Sequence, residues 1–126
     1  MMNENFELIS EYTRRQAIKD GVLIDVTKMA KEAGFNCNVA VTAALWHDIT
    51  HGPSKNQSDI NGRLWDVLFM LYLQIKKNGN RQRIDYDLIM PVPGVTGKDN
   101  LYRIYSLAGP GDEGELVITI LKPNED

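Results

Sequence analysis

Residues 58–78 leave this chain little choice of local structure. Leu64, Leu68, Leu71, Tyr72 and Ile75 fall at i, i+4, i+7, i+8 and i+11, and so share one face of a helix. Trp65 and Phe69 widen that face. Met70 and Leu73 point well away from it, leaving only a narrow polar wedge around Asp66 and Lys77. A helix this apolar is expected at the centre of a small domain, or else presents a second apolar face to a partner. After Gly79 the period changes from helical to alternating. Ile84, Tyr86, Leu88 and Met90 fall on one side of a strand, and "LYRIYSL" and "ELVITIL" continue the pattern. "PVPGVTGKDN" and "AGPGDEG" are the turns between them, rich in Gly, Pro and Asp for their backbone geometry.

Upstream of this point the signals are helical. Thr13 and Gln16 have the spacing of a capping box, opening a short helix over 14–20 that Gly21 stops. "VLIDV" is a short strand or a buried connector. Asp25 or Thr27 caps a second helix ending at Gly34, and Asn38 caps a third over 39–50. Gly52 and Pro53 then break the chain into a loop. The fold class expected is therefore α+β, with about four helices packed on a three-stranded antiparallel β-meander. At 126 residues this is a single domain, with 1–11 expected to be flexible, 13–78 helical and 83–121 forming the sheet.

Composition excludes more functions than it selects. The single cysteine, Cys37, rules out an internal disulfide and suits a reducing compartment. The N-terminus lacks the basic start and apolar run of a secretory signal, and no stretch reaches the ~18 apolar residues needed to cross a bilayer. A net charge of −3 argues against a general nucleic-acid binder.

Several motifs invite sharper readings. "HDITH" places His47 and His51 on one helix face, as a two-histidine zinc site requires, with Asp48 where zinc hydrolases carry a glutamate base. The aspartate is one methylene shorter, no third histidine exists, and the pair lies opposite the Val41, Leu45 and Ile49 stripe. A solvent-facing pair is expected, with no metal. Residues 26–49 have the Ala30/Gly34 spacing of a helix-turn-helix, but 39–51 contain no lysine, arginine, glutamine or asparagine to read bases, so a packed helical pair is expected. Lys76, Lys77, Arg81 and Arg83 form a patch of charge +4. "PGVTGKDN" lacks the spacing and the Ser/Thr of a phosphate loop. Asp112, Glu113 and Glu115 crowd one turn without the oxygen-rich pattern of a calcium loop. Cys37 has no basic neighbour in sequence to activate it.

The blocks "DGVLIDV", "GRLWDVL" and "GDEGELVITI" resemble an uncharacterised domain family of small accessory proteins from bacterial plasmids, phages and conjugative elements. The resemblance spans 12–126, apart from the loop after His51 and residues 78–100. It implies a context and no reaction: such proteins bind and block host defence machinery, or adjust replication and transfer. Asp20, Gly21, Asp25, Gly62, Arg63, Trp65 and Asp66 match the family, which does not require the histidines. A shared site would therefore involve Arg63, Asp66 and the turn at Asp112.

The function expected is that of a cytoplasmic, non-catalytic protein, monomer or homodimer, that binds a host protein and inhibits its defences. Met70, Leu73, Asp112, Glu113 and Glu115 are the expected contacts, because residues 108–126 carry five acids and one lysine and would steer toward a basic groove. Two alternatives compete. One is a nucleic-acid-associated regulator using Arg14, Arg15 and Lys19 with the patch at Lys76, Lys77, Arg81 and Arg83. The other is a small-ligand binder or enzyme beside Arg63 and Asp66. No catalytic residue and no cofactor is assigned.

Overall fold

The computed structural model describes residues 12–52, 54–91 and 101–125. The N-terminal segment 1–11 and the turn residues 92–100, including Gly94, Lys98 and Asp99, lie outside the described residues. Within them the chain runs α1 (Arg14–Lys19), β1 (Leu23–Asp25), α2 (Thr27–Ala33), β2 (Asn38–Thr42), α3 (Ala43–Thr50), α4 (Gln57–Asn78), β3 (Arg83–Ile89), β4 (Leu101–Pro110) and β5 (Leu116–Leu121).

The α+β class stands, with four helices among the described residues, but the sheet is neither three-stranded nor purely antiparallel. It has five strands in the order β1-β2-β5-β4-β3 among the described residues. β3, β4 and β5 form the expected meander, and β2 adds to β5 in parallel, with Val39 opposite Ile118 and Val41 opposite Ile120. β1 then pairs antiparallel with β2. The "VLIDV" segment is thus a strand at its centre. The helix expected over 39–50 is shorter, and its first residues are the strand. Val39, Ala40 and Val41 are all fully buried, so β2 is covered on both faces. Thr42, not Asn38, caps α3, accepting from the Leu45 N–H at 3.3 Å. A strand therefore separates α2 from α3, and the packed helical pair is absent.

Side-chain alternation divides the sheet into two faces. Val39, Val41, Ile104, Ile118, Ile120, Ile84, Tyr86 and Leu88 enter one core with Ala30 and Ala33 of α2, Leu45 and Ile49 of α3, and Leu64, Val67, Leu68 and Leu71 of α4. α4 is the central helix its pattern predicts, started by the Asn56 side chain on the Ser58 N–H. Tyr86 ties it to the sheet by donating to the Val67 carbonyl at 2.8 Å. On the opposite face α1 is held by Arg14, whose guanidinium donates to Thr119 Oγ1 at 2.7 Å and to the Ile118 carbonyl at 2.8 Å. The end of the chain also returns there: Glu125 accepts from the Thr42 hydroxyl and the Lys122 N–H, and its carbonyl accepts from Tyr105. The remaining outer surface of β3 and β4 is crossed by the ion pairs Arg83–Asp85 and Arg103–Asp87.

No helix among the described residues is long and apolar enough to cross a membrane.

Candidate functional site

A concavity lies where β2 and β5 begin. α2 ends there at Gly34, with the Phe35 N–H on the Ala30 carbonyl and the Gly34 N–H on the Lys31 carbonyl, the Schellman arrangement. Gly34 has φ +120°, and a Cβ there would stand 2.5 Å from Tyr72 Cε1. Only glycine lets the α4 ring lie against this turn. The result is a hollow of about 570 Å³ walled by Phe35, Tyr72, Ile75, Leu116 and Ile118, with the carboxamides of Asn36, Asn38 and Asn80, the Cys37 thiol, Lys76 and Glu115 around it. Its size falls within the range of ligand-binding clefts. Tyr72 meets Phe35 edge-on with centroids 6.1 Å apart, and the Lys76 ammonium sits 6.0 Å from the Tyr72 centroid.

A second hollow of about 260 Å³ continues from the first, sharing Asn38 and Glu115 with it. Arg14, Arg15, Ile18, Asp25, Asp112 and Glu113 complete its lining. The polar groups here are largely committed to holding the fold. Asp112 caps α1 with both oxygens, on the Arg14 N–H at 2.8 Å and the Arg15 N–H at 3.0 Å. Those bonds, Arg15's first and then Arg14's, hold its carboxyl below the usual range. Glu115 folds back over its own turn to accept from the Glu113 N–H at 3.0 Å. Gly111 allows this, since a Cβ there would stand 2.5 Å from Glu115 Oε2. Burial pushes the Arg14 guanidinium down, against the pull of Asp25, Asp112, Cys37 and Glu115. Burial likewise pushes the Cys37 thiol up, with the Arg14 charge opposing it. The thiol is therefore protonated at neutral pH and is a poor nucleophile.

The residues singled out from sequence scatter over the molecule. Glu113 and Glu115 line the groove, and Lys76 reaches its other end. Asp112 lines it too, with its oxygens on α1. Leu73 stands exposed on the outer stripe of α4 at 43% of its maximum, whereas Met70 is half-buried against the core, so the two form no continuous apolar face. Arg63 is buried and donates to the Ile49 carbonyl at 2.6 Å and the Ser54 carbonyl at 2.7 Å. It closes the end of α3 and pins the following loop, and makes no ion pair with Asp66. Asp66 is exposed, with its carboxyl raised by partial burial, beside a shallow open depression of about 500 Å³. The basic patch disperses. Arg83 lies over the Tyr105 ring at 3.9 Å and pairs with Asp85, and the rest sits around the carboxyl end of α4, where the helix dipole opposes an anion.

His47 and His51 are exposed and stacked, their ring centroids 3.9 Å apart. His51 Nδ1 lies 3.0 Å from the His47 carbonyl. Among the described residues no cluster of three or more His, Cys, Asp or Glu side chains is arranged to hold a metal. Asp48 is turned inward, where it accepts from the Tyr102 hydroxyl at 2.5 Å and pairs with Lys122 at 2.9 Å. It fastens α3 to the sheet.

Sequence reasoning passed over the groove itself. Its walls come from 34–38, 72–76 and 115–118, segments whose proximity follows from the parallel β2–β5 pairing. The local signals were Gly34, placed correctly as a helix end, and Lys76, Glu113 and Glu115, which were singled out for their charge in two separate patches.

The model of a family of unknown function, DUF6573, matches residues 1–126, and the chain belongs to that family. No curated protein and no solved structure matches the chain.

Proposed function

We propose that this chain is a cytoplasmic, non-catalytic binding protein of a mobile genetic element, which engages a host protein of the defence machinery through the groove at the start of β2 and β5. The observation that carries the binding role is the groove: a mainly apolar hollow joined to a charged one, built where the end of α2, the last turns of α4 and the starts of β2 and β5 meet. A protein segment fits such a site, because apolar walls provide the affinity and the carboxamides of Asn36, Asn38 and Asn80 can serve a passing backbone. The host-defence context rests on the sequence blocks that resemble accessory proteins of plasmids and phages. The nucleic-acid alternative is weaker, since Arg14 and Arg83 are engaged within the fold and the remaining patch lies at a helix carboxyl end.

The test is a tagged pull-down from nuclease-treated host lysate, read by mass spectrometry, with wild type and Leu116→Glu side by side. Leu116 is 48% exposed at the hollow, so the variant leaves the core intact. One host protein held near stoichiometrically by wild type and lost by the variant supports the reading. A clean bait defeats it. Equal capture by both proteins moves the binding surface elsewhere, and Leu73→Glu then tests the outer stripe of α4.

A further inference from the structure

Resting on that reading of the groove, we infer what the bound segment looks like: an extended stretch that seats one large apolar side chain between Tyr72 and Leu116 and lays a lysine or arginine beside Glu113. Two independent features of the groove set these requirements.

The first is the asymmetry of its two hollows. The larger one is apolar on its walls and carries one cation and one carboxylate, Lys76 and Glu115, which offset each other. The smaller one, with Glu115 already counted in the larger, holds two arginines, Arg14 and Arg15, against three carboxylates, Asp25, Asp112 and Glu113, a net −1. The second feature is which of those charges remain available. The Arg14 guanidinium points into the sheet, on Thr119 and the Ile118 carbonyl, and presents no donor fork to an incoming anion. Asp112 is occupied by two backbone N–H groups. Glu113 is exposed, and the bond made at that residue uses its backbone, so its carboxylate is the acid best placed to meet a cation. Arg15 also lines this hollow, where its charge acts on Asp112, and the carboxylates still outnumber the arginines. A carboxylate on the incoming segment would therefore meet net negative charge, while an apolar residue there would leave charges desolvated. Because Asn38 and Glu115 border both hollows, anchor and cation are neighbours, two to four residues apart in an extended chain at roughly 3.3 Å per residue.

The experiment is selection of a random dodecapeptide display library on the full chain. A synthetic peptide of the enriched sequence is then titrated by fluorescence anisotropy. We expect enriched peptides to carry an aromatic or large aliphatic residue two to four positions from a lysine or arginine. Leu116→Glu should weaken the peptide about tenfold or more, as loss of an anchor pocket does, and Glu113→Lys about three- to tenfold, with His47→Ala, on a remote helix face, unchanged. Replacing the peptide's cation by glutamate should restore binding to Glu113→Lys while weakening it about three- to tenfold for wild type. Far-ultraviolet circular dichroism confirms that each variant is folded. Peptides that need the anchor but tolerate any residue at the second position overturn this inference and leave groove binding standing. Enrichment of acidic peptides, or of none, overturns the inference, and indifference to Leu116→Glu overturns the groove as the site.

Discussion

Arg63 offers the clearest test of how a charged residue is used in this chain, because a ligand-binding role and a structural role predict opposite outcomes. Its guanidinium is buried and makes two short bonds to main-chain carbonyls, 2.6 Å to Ile49 and 2.7 Å to Ser54. A hydrogen bond to a charged group contributes about 1.5–3 kcal/mol, and its loss leaves a carbonyl unsatisfied. Ser54 is half-buried and can regain water, so Arg63→Met should cost about 3 kcal/mol rather than the full sum. With an m-value of about 1.5 kcal/mol/M, the urea midpoint falls by about 2 M at unchanged slope. Arg63→Lys should lie between, since an ammonium cannot span both carbonyls. The geometry adds an internal check. A Cβ on Gly52 would stand 2.8 Å from Arg63 Cζ, so Gly52→Ala should cost about 1–2 kcal/mol in wild type. In Arg63→Ala, where that space is vacated, the same change should cost about 1 kcal/mol less, a coupling visible in a double-mutant cycle. Loss of under about 0.5 kcal/mol in Arg63→Met, typical of an ordinary surface site, would refute this account and return Arg63 to the list of contact residues.

The other predictions are briefer. Gly34→Ala combines a positive φ of +120° with a 2.5 Å approach to Tyr72, so thermal melts should show a loss of about 2 kcal/mol or more, partly recovered by Tyr72→Ala. Tyr86→Phe removes the bond to Val67 but leaves that carbonyl within its helix, so the cost should be about 1 kcal/mol by urea titration. The Asp112 carboxyl is depressed in the fold by the Arg15 and Arg14 N–H groups. Its contribution is present above the unfolded carboxylate value of about 3.9 and is lost as pH falls through the folded one, so Asp112→Asn should flatten the acid limb of a stability–pH curve. Asp66 has the opposite sign: burial raises its carboxyl, and Asp66→Asn should stabilise the protein slightly at neutral pH and lose that advantage as the wild type becomes protonated.

The central helix and β3 were legible because one face of each is buried, which leaves a period in the sequence. β4 and β5, buried on both faces at residues 104–106 and at Val117 and Ile118, were legible instead as apolar runs bounded by turns. α4 shows its 3.6-residue repeat, and β3 alternates buried and outward residues along Arg83–Ile89. β2 was misread for the converse reason. With Val39, Ala40 and Val41 buried on both faces, it has no alternation, and it runs directly into the apolar start of α3. A short apolar run of this kind fits either period. The β-branched Val39, Val41 and Thr42, the last of them also able to cap a helix with its side chain, were the available sign of a strand-to-helix junction. The parallel partner of β2 gave no sign at all, since Val41 and Ile120 are joined only through the tertiary fold.

That junction also explains why the candidate site escaped notice, and why the most distinctive blocks misdirected the search. Gly21 adopts φ +80°, Asp25 accepts from Thr27, Arg63 closes α3, and Asp112 caps α1. Each is a conspicuous residue type at a fixed place, which is how a site residue looks in a sequence. In the molecule each answers a main-chain requirement: a left-handed turn, orphan N–H groups or orphan carbonyls. The blocks that carry the family resemblance thus encode chiefly how the fold is fastened. What borders the groove and stays exposed includes Leu116, Glu113, Arg15 and Lys76, drawn from three distant segments and none of them unusual alone. They acquire meaning only because β2 lies beside β5, which brings the end of α2, the last turns of α4 and the acidic turn to the end of the sheet where these two strands begin. With the guanidinium groups of Arg14 and Arg63 and the carboxylate of Asp112 fastened into structure, recognition is left to geometry, and the groove offers a concave surface for it.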